Sequence, residues 1–151
     1  MDGHITTYSG IYFYPLEPDA DKIDIGDIAH CLSLICRGNG HVKAFWSVGS
    51  HSILCAREAE ARGLGPRMIL ACLMHDASEC YMSDVPRPFK QSLRDYIERE
   101  EALTEMIFMK FLGSPLTEEE RRILDWIDDA FLWYDLRYLL SDASGKNPIP
   151  S

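Results

Sequence analysis

The chain has no Cys-x-x-Cys pair, and its five cysteines (Cys31, Cys36, Cys55, Cys72 and Cys80) form an odd set within or beside helix-like apolar stretches. A disulfide framework is therefore not indicated. The thiols read as reduced core residues, with a structural zinc site as the lesser alternative. Basic residues are scarce: 15 Lys and Arg against 24 Asp and Glu leave a net charge of −9. That balance argues against the broad basic face with which proteins hold nucleic-acid polymers, although a small basic pocket for a nucleotide remains compatible with it. No apolar run approaches the ~20 residues of a membrane span. The opening Met-Asp-Gly-His lacks a basic region followed by an apolar one, so no secretion signal is read and a cytoplasmic protein without a membrane partner is expected. Internal repeats, low-complexity stretches and domain linkers are also missing. What is present is 151 residues, 46% apolar and 26% charged, which predicts one ordinary globular domain over residues 1–151 with a substantial core.

Residues 4–16 alternate Thr, Tyr, Ile and Phe around Ser9-Gly10, the pattern of a short β-hairpin or extended arm. Pro15, Pro18 and Asp19-Ala-Asp21 then interrupt the chain, so residues 1–23 form an N-terminal arm. Ile25, Ile28, Leu32 and Ile35 recur at helical spacing and predict a helix from Asp24 to about Cys36, closed by the flexible loop Arg37-Gly-Asn-Gly-His41. Ser47 is the expected N-cap of a second helix that Gly63 stops near Arg62. Pro66 opens a third helix, expected to carry His75, Asp76 and Glu79 together. Two prolines make residues 83–88 a rigid loop. A fourth helix is expected over Ser92–Leu112 before Gly113, and a Thr117/Glu120 capping box opens a fifth that could run to Leu140. Residues 144–151, with Gly145, Pro148 and Pro150, read as a flexible tail. The sum is an all-α domain of about five main helices with a short β arm.

Within the third helix, Leu70-Ala-Cys-Leu-Met74 turns abruptly into His75-Asp76, with Glu79 one turn later. Unpaired polar groups in a buried helix cost roughly 1–3 kcal/mol, and a divalent metal ion would satisfy both side chains at once. Glu79, on the same helical face, stands where an acid could handle the proton of a metal-bound water. The alternative is a helix-end cluster with Glu79 solvated. His51, near the start of the second helix beside Gly49, is a third ligand candidate or else a satisfied core histidine. For a fourth, the last helix offers Asp125, Asp128, Asp129 and Asp135. Asp135 is preferred because it stands isolated within Trp133-Tyr-Asp-Leu-Arg-Tyr138, whereas acids at the other three positions suit a solvated face. Its own alternative is an ion pair with Arg137 or another base. Two His and two Asp would make an open site for one ion of Co²⁺, Mn²⁺, Mg²⁺, Fe²⁺ or Zn²⁺.

His51, His75-Asp76 and Asp135, in that order, resemble the H…HD…D signature of the HD-domain phosphohydrolase superfamily. The stretches Asp24–Arg37, Ser47–Ser52, His75–Glu79 and Ser83–Lys90 are similar to the small bacterial and phage members, among them 5′-deoxyribonucleotidases and dATP triphosphohydrolases. The resemblance covers residues 6–143 and implies metal ligation by His51, His75, Asp76 and Asp135. It implies that Glu79 positions the attacking water or protonates the leaving 5′-oxygen, that Arg37 grips phosphate, and that Asp84 contacts the sugar 3′-hydroxyl. A guanidinium suits the phosphate role because it binds two oxygens at once; a helix C-cap cation is the plain alternative for Arg37, and a turn residue for Asp84. Lys90, Arg87 and Lys43 are further candidates for phosphate oxygens, or else exposed solubilising charges.

Two departures stand out. The deoxyribonucleotidases follow this arginine with a bulky aromatic, whereas here Gly38-Asn39-Gly40 follows, so base stacking there is not expected. Binuclear members carry extra histidines beyond the HD pair; none follows His75, which favours a single ion. The function implied is metal-dependent cleavage of the 5′ phosphoester of a small-molecule deoxynucleotide, monophosphate or triphosphate. A non-catalytic nucleotide-sensing or interaction module on the same fold is the rival. Related enzymes also imply a homo-oligomer, with Met106–Leu112 as a candidate interface or simply part of the core.

Overall fold

The computed structural model describes residues 3–141. Ile5–Thr6 (β1) pairs antiparallel with Tyr12–Phe13 (β2), Ile5 opposite Phe13 and Thr6 opposite Tyr12, around a turn in which Gly10 takes φ 87°. The hairpin is pinned to the first helix by Asp27, whose carboxylate accepts from the Ser9 amide at 2.7 Å and from the Ser9 hydroxyl at 2.8 Å. Phe13 is fully buried and stacks on Tyr81, which anchors the hairpin in the main core.

Five main helices follow, as expected, with two short ones between them. They are α1 (Ile25–Leu34), α2 (Val48–Ala61), α3 (Pro66–Met74), α4 (Glu79–Met82), α5 (Arg87–Lys90), α6 (Arg94–Leu112) and α7 (Glu118–Tyr134). Their starts are written in the sequence: Asp24 accepts from the Asp27 amide, Ser47 from the Ser50 amide, and Thr117 with Glu120 forms the full capping box. Their stops are the left-handed glycines Gly63 (φ 71°) and Gly113 (φ 80°).

Helix α2 is the centre of the molecule and packs most closely on α3, with α1 and α7 on its other sides. The close approach of α1 depends on Gly49, where a Cβ would lie 3.2 Å from the Leu32 carbonyl carbon and oxygen. The core runs from Phe13, Ile28 and Leu32 through Val48, Cys55, Ala59, Ala71 and Cys72 to Leu103, Ile107, Phe108 and Ile127. Ile107 and Phe108 therefore belong to the core, which leaves Met109 as the exposed apolar side chain of the supposed interface segment. Among the described residues, no helix is long and apolar enough to cross a membrane.

Three local readings change. Helix α3 ends at Met74, and residues 75–78 form a tight turn in which the Ala77 amide donates to the Met74 carbonyl and Glu79 to that of Asp76, both at 3.0 Å. The third helix is thus interrupted inside the His75–Glu79 motif rather than continuous through it. The proline-containing loop contains helix α5, because Pro88 falls within the first turn, where its missing N–H costs nothing. Finally, α7 does not run regularly to Leu140: residues Asp135–Leu139 widen into a single π-helical turn closed by the Leu140 amide on the Asp135 carbonyl at 2.8 Å. The tail expected over residues 144–151 lies outside the described residues.

Candidate metal centre

His51, in the first turn of α2, is completely buried, and its Nε2 lies 3.3 Å from the Nε2 of His75. His75, just past the end of α3, is oriented by its other ring nitrogen, since Nδ1–H donates to the Cys72 carbonyl at 2.7 Å. In the neutral ring this leaves the Nε2 lone pair aimed at His51, the arrangement that metal-bound histidines show. Two carboxylates close on the same point. Asp128 Oδ1 is 2.9 Å from His51 Nε2 and 3.6 Å from His75 Nε2, while Asp76 Oδ2 is 3.3 Å from His75 Nε2 and 3.7 Å from His51 Nε2. Nitrogen and oxygen donors bound at 2.0–2.2 Å to one ion lie about 2.9–3.6 Å apart, depending on coordination number. Four of the five separations fall in that range, and the fifth, from Asp76 to His51, is 3.7 Å.

Its charge state without a cation fits the same reading. Burial alone would drive the His75 imidazole to lose its proton, yet Asp76 and Asp128 raise its pKa well above the ordinary value. Burial likewise opposes ionisation of Asp128 and Asp76, but the two histidines more than offset it and both carboxyls titrate below their usual range. A proton on the His75 imidazole thus occupies the electrostatic role that a divalent ion would take.

Residue 128 is where the sequence-based ligand set needs correction. Asp135 does not face the histidine pair: its Oδ2 accepts from Arg37 Nε at 2.8 Å and comes no nearer than 3.9 Å to His51, on the Nδ1 side of the ring. Positions 128 and 135 are seven apart, so both lie on one face of the helix and periodicity cannot separate them. Their axial offset of about 10 Å does, and only Asp128 is level with the cluster. Cys55, one turn after His51 on α2, is expected in the core or, as the lesser alternative, in a zinc site; its Sγ sits 3.5 Å from His51 Nε2, within the group formed with His75 and Asp128. Burial pushes its thiol up to about 12, which keeps it neutral beside the imidazole.

Above the cluster opens a cavity of about 440 Å³. Its polar lining includes Arg37, Asp76, Glu79, Asp84, Arg87, Lys90 and Asp128; its apolar lining includes Val85, Pro86, Pro88, Leu132, Leu136 and Leu140. Glu79 Oε2 is buried without a hydrogen-bond partner. Burial, with the charges of Asp76 and Asp84, pushes the Glu79 carboxyl up to about 10. Asp84 is also raised by burial. Arg37 is held above its ordinary value, burial being outweighed by Asp76 and Asp135, and its Nη1 lies 3.6 Å from Asp76 Oδ2.

The remaining predicted cations divide. Lys90 lines the cavity and is ion-paired with the buried Glu100. Arg87 lines it from a more exposed position, 3.2 Å from Asp129 and 3.8 Å from Asp128. Lys43 is not part of the lining; it is exposed, with its Nζ donating to the Tyr138 carbonyl at 3.4 Å and its amide to the Leu139 carbonyl at 2.8 Å. It therefore belongs to the contact between the loop after Arg37 and the π turn, apart from the cavity lining.

The sequence matches the HD domain family over residues 40–131, a span that takes in His51, His75, Asp76, Glu79, Asp84 and Asp128 and ends before Asp135. It is 39% identical over 124 residues to the uncharacterized protein YfdR of Escherichia coli, covering 82% of this chain and 66% of that protein. It is 37% identical over 102 residues to an uncharacterized protein of Rhodobacter capsulatus, covering 64% of this chain and 52% of the other. The chain thus spans about two thirds and about half of the lengths of these relatives. By that match and by the histidine–aspartate cluster beneath its cavity, the chain belongs to the HD domain family.

Proposed function

We propose that this chain is a divalent-metal-dependent phosphohydrolase that cleaves the 5′ phosphoester of deoxynucleotides, with the monophosphate as the favoured substrate. The observation that carries the reading is the preformed donor set: Asp76 and Asp128 each lie within 3.7 Å of the paired His51 and His75, and these two carboxylates line a cavity that also holds Arg37, Glu79 and Asp84. Those four side chains would hold the ion, and Asp128 takes the place that the resemblance assigned to Asp135. A bound divalent ion lowers the pKa of water and polarises a phosphoryl oxygen. Arg37 is placed to bind the phosphate and neutralise charge developing on it. Glu79, whose carboxyl pKa is raised by burial and by Asp76 and Asp84, is placed to protonate the departing 5′-oxygen. Asp84, five residues on, is available to a sugar hydroxyl, and the leucine and proline walls suit the faces of a base without aromatic stacking.

The cation count favours the monophosphate. Arg37, Arg87 and Lys90 are the Lys and Arg side chains of the cavity lining, and each is already paired with an acid. A triphosphate would demand more uncommitted positive charge than that. The non-catalytic module is disfavoured by Glu79, since a binding-only site gains nothing from a partnerless buried carboxyl oxygen. Replacing Asp128 by Asn tests the assignment: Mn²⁺ affinity and phosphate release from a deoxynucleoside monophosphate both fall by at least tenfold in the folded variant. Wild-type affinity and turnover in Asp128→Asn would remove this ligand set.

A further inference from the structure

The residue that the sequence marked as anomalous, Asp135, touches both halves of the proposed centre without facing the ligand point. One oxygen, Oδ2, accepts from Arg37 Nε at 2.8 Å and stands 3.9 Å from His51 Nδ1. That Nδ1 is buried and has no hydrogen-bond partner. An imidazole that offers Nε2 to a metal carries its proton on Nδ1, and such a proton is normally taken by a carboxylate, a carbonyl or water. Asp135 is 8% exposed and is the acid on that side of the ring. Closing less than an ångström would complete the bond.

The backbone around Asp135 is built to the same end. The π turn that begins there is tied to the loop after Arg37 by the Lys43 amide on the Leu139 carbonyl at 2.8 Å. Gly38 is packed so closely that a Cβ would lie 3.3 Å from Leu140 Cδ2. The loop carrying Arg37 is therefore docked on this turn by backbone and side chain together, and the guanidinium enters the cavity from a fixed direction.

We infer that Asp135 is a positioning residue that receives the Nδ1 proton of His51 and holds the Arg37 guanidinium, and so links metal binding to phosphate binding. This rests on the proposed metal-dependent reading of the same cavity. It does not depend on which nucleotide is cleaved.

The test titrates Mn²⁺ into chelator-stripped wild type, Asp135→Asn and Asp129→Asn, then inorganic phosphate into the Mn²⁺-saturated proteins. Asp135→Asn should weaken Mn²⁺ binding about tenfold or more, whereas Asp129→Asn, an equal loss of charge on an exposed acid, stays within twofold. Phosphate binding should fall in Asp135→Asn and in Arg37→Ala, and the double variant should bind phosphate no worse than Arg37→Ala alone, because one residue acts through the other. Mn²⁺ affinity within twofold of wild type in folded Asp135→Asn, or phosphate losses that multiply in the double variant, would overturn the inference. If Asp135→Asn does not fold, ¹⁵N NMR of Zn²⁺-loaded wild type decides: a His51 Nδ1–H protected from exchange supports it, and a freely exchanging one refutes it. A wild type that binds Mn²⁺ and phosphate but hydrolyses no nucleotide defeats the substrate reading while leaving this result intact.

Discussion

Glu79 shows how much a single side chain is asked to do. Its carboxyl is neutral in the metal-free protein because burial and two neighbouring acids disfavour the charge. Glu79→Gln therefore mimics the protonated form in shape and charge while removing the transferable proton. Mn²⁺ affinity and thermal stability should stay near wild type, and kcat should drop by about 10²–10⁴. A Glu79→Gln protein with wild-type turnover would remove its role as acid. At this scale the sequence was informative about residue type and less so about geometry. The run of apolar residues ending in His75-Asp76 was visible because ionisable groups there need partners. The choice between Asp128 and Asp135 was not, because residues two helical turns apart share a face and only the height of α7 against α2 separates them. Asp135 did look unusual among its aromatic neighbours, and in the structure it is bonded to Arg37.

At the scale of elements, the caps and glycine stops were legible because each is a local bargain between one side chain and its own backbone. The break after α3 was less so: residues 75 and 78 retain helical dihedrals, and only the switch to shorter hydrogen bonds ends the helix. Helix α5 was masked by its prolines. Gly49 carries a test of how closely α1 must approach α2. Gly49→Ala places a methyl 3.2 Å from the Leu32 carbonyl, and it should destabilise the fold by about 1–3 kcal/mol. It should also weaken Mn²⁺ binding through His51 two residues on; an unchanged denaturation midpoint would show that the helices separate freely. The hairpin offers a pH test. Burial alone would raise the Asp27 pKa, but hydrogen bonds from Thr7 and Ser9 hold it below the usual 3.8. A lowered folded-state value means the contribution is present above pH 3.8 and is lost as pH falls through the folded pKa. The stability gap between wild type and Asp27→Asn, followed by denaturant titration, should be widest near neutrality and close in acid. A gap that does not change with pH would contradict the assigned role of that carboxylate.

For the whole molecule, composition and periodicity were enough for the all-α class and for five main helices, since burying 46% apolar residues in amphipathic segments leaves few alternatives. What they could not supply was the meeting of distant segments. The cavity is assembled from residues 37–39, 76–90 and 128–140, and its apolar wall of Leu132, Leu136 and Leu140 has no signature until α7 is seen against the proline loop. The loop after Arg37, where the glycines spoke against base stacking, packs Gly38 on Leu140.

The central claim is that this cavity hydrolyses the 5′ phosphoester of a deoxynucleotide with a bound divalent ion. It is tested most directly by incubating the Mn²⁺- or Co²⁺-loaded protein with every ribo- and deoxyribonucleoside mono-, di- and triphosphate and separating the products by chromatography. Deoxynucleoside and inorganic phosphate from the deoxynucleoside monophosphates, abolished by chelator and restored by metal, is the predicted result. No product from any nucleotide in a metal-loaded, folded protein would contradict it.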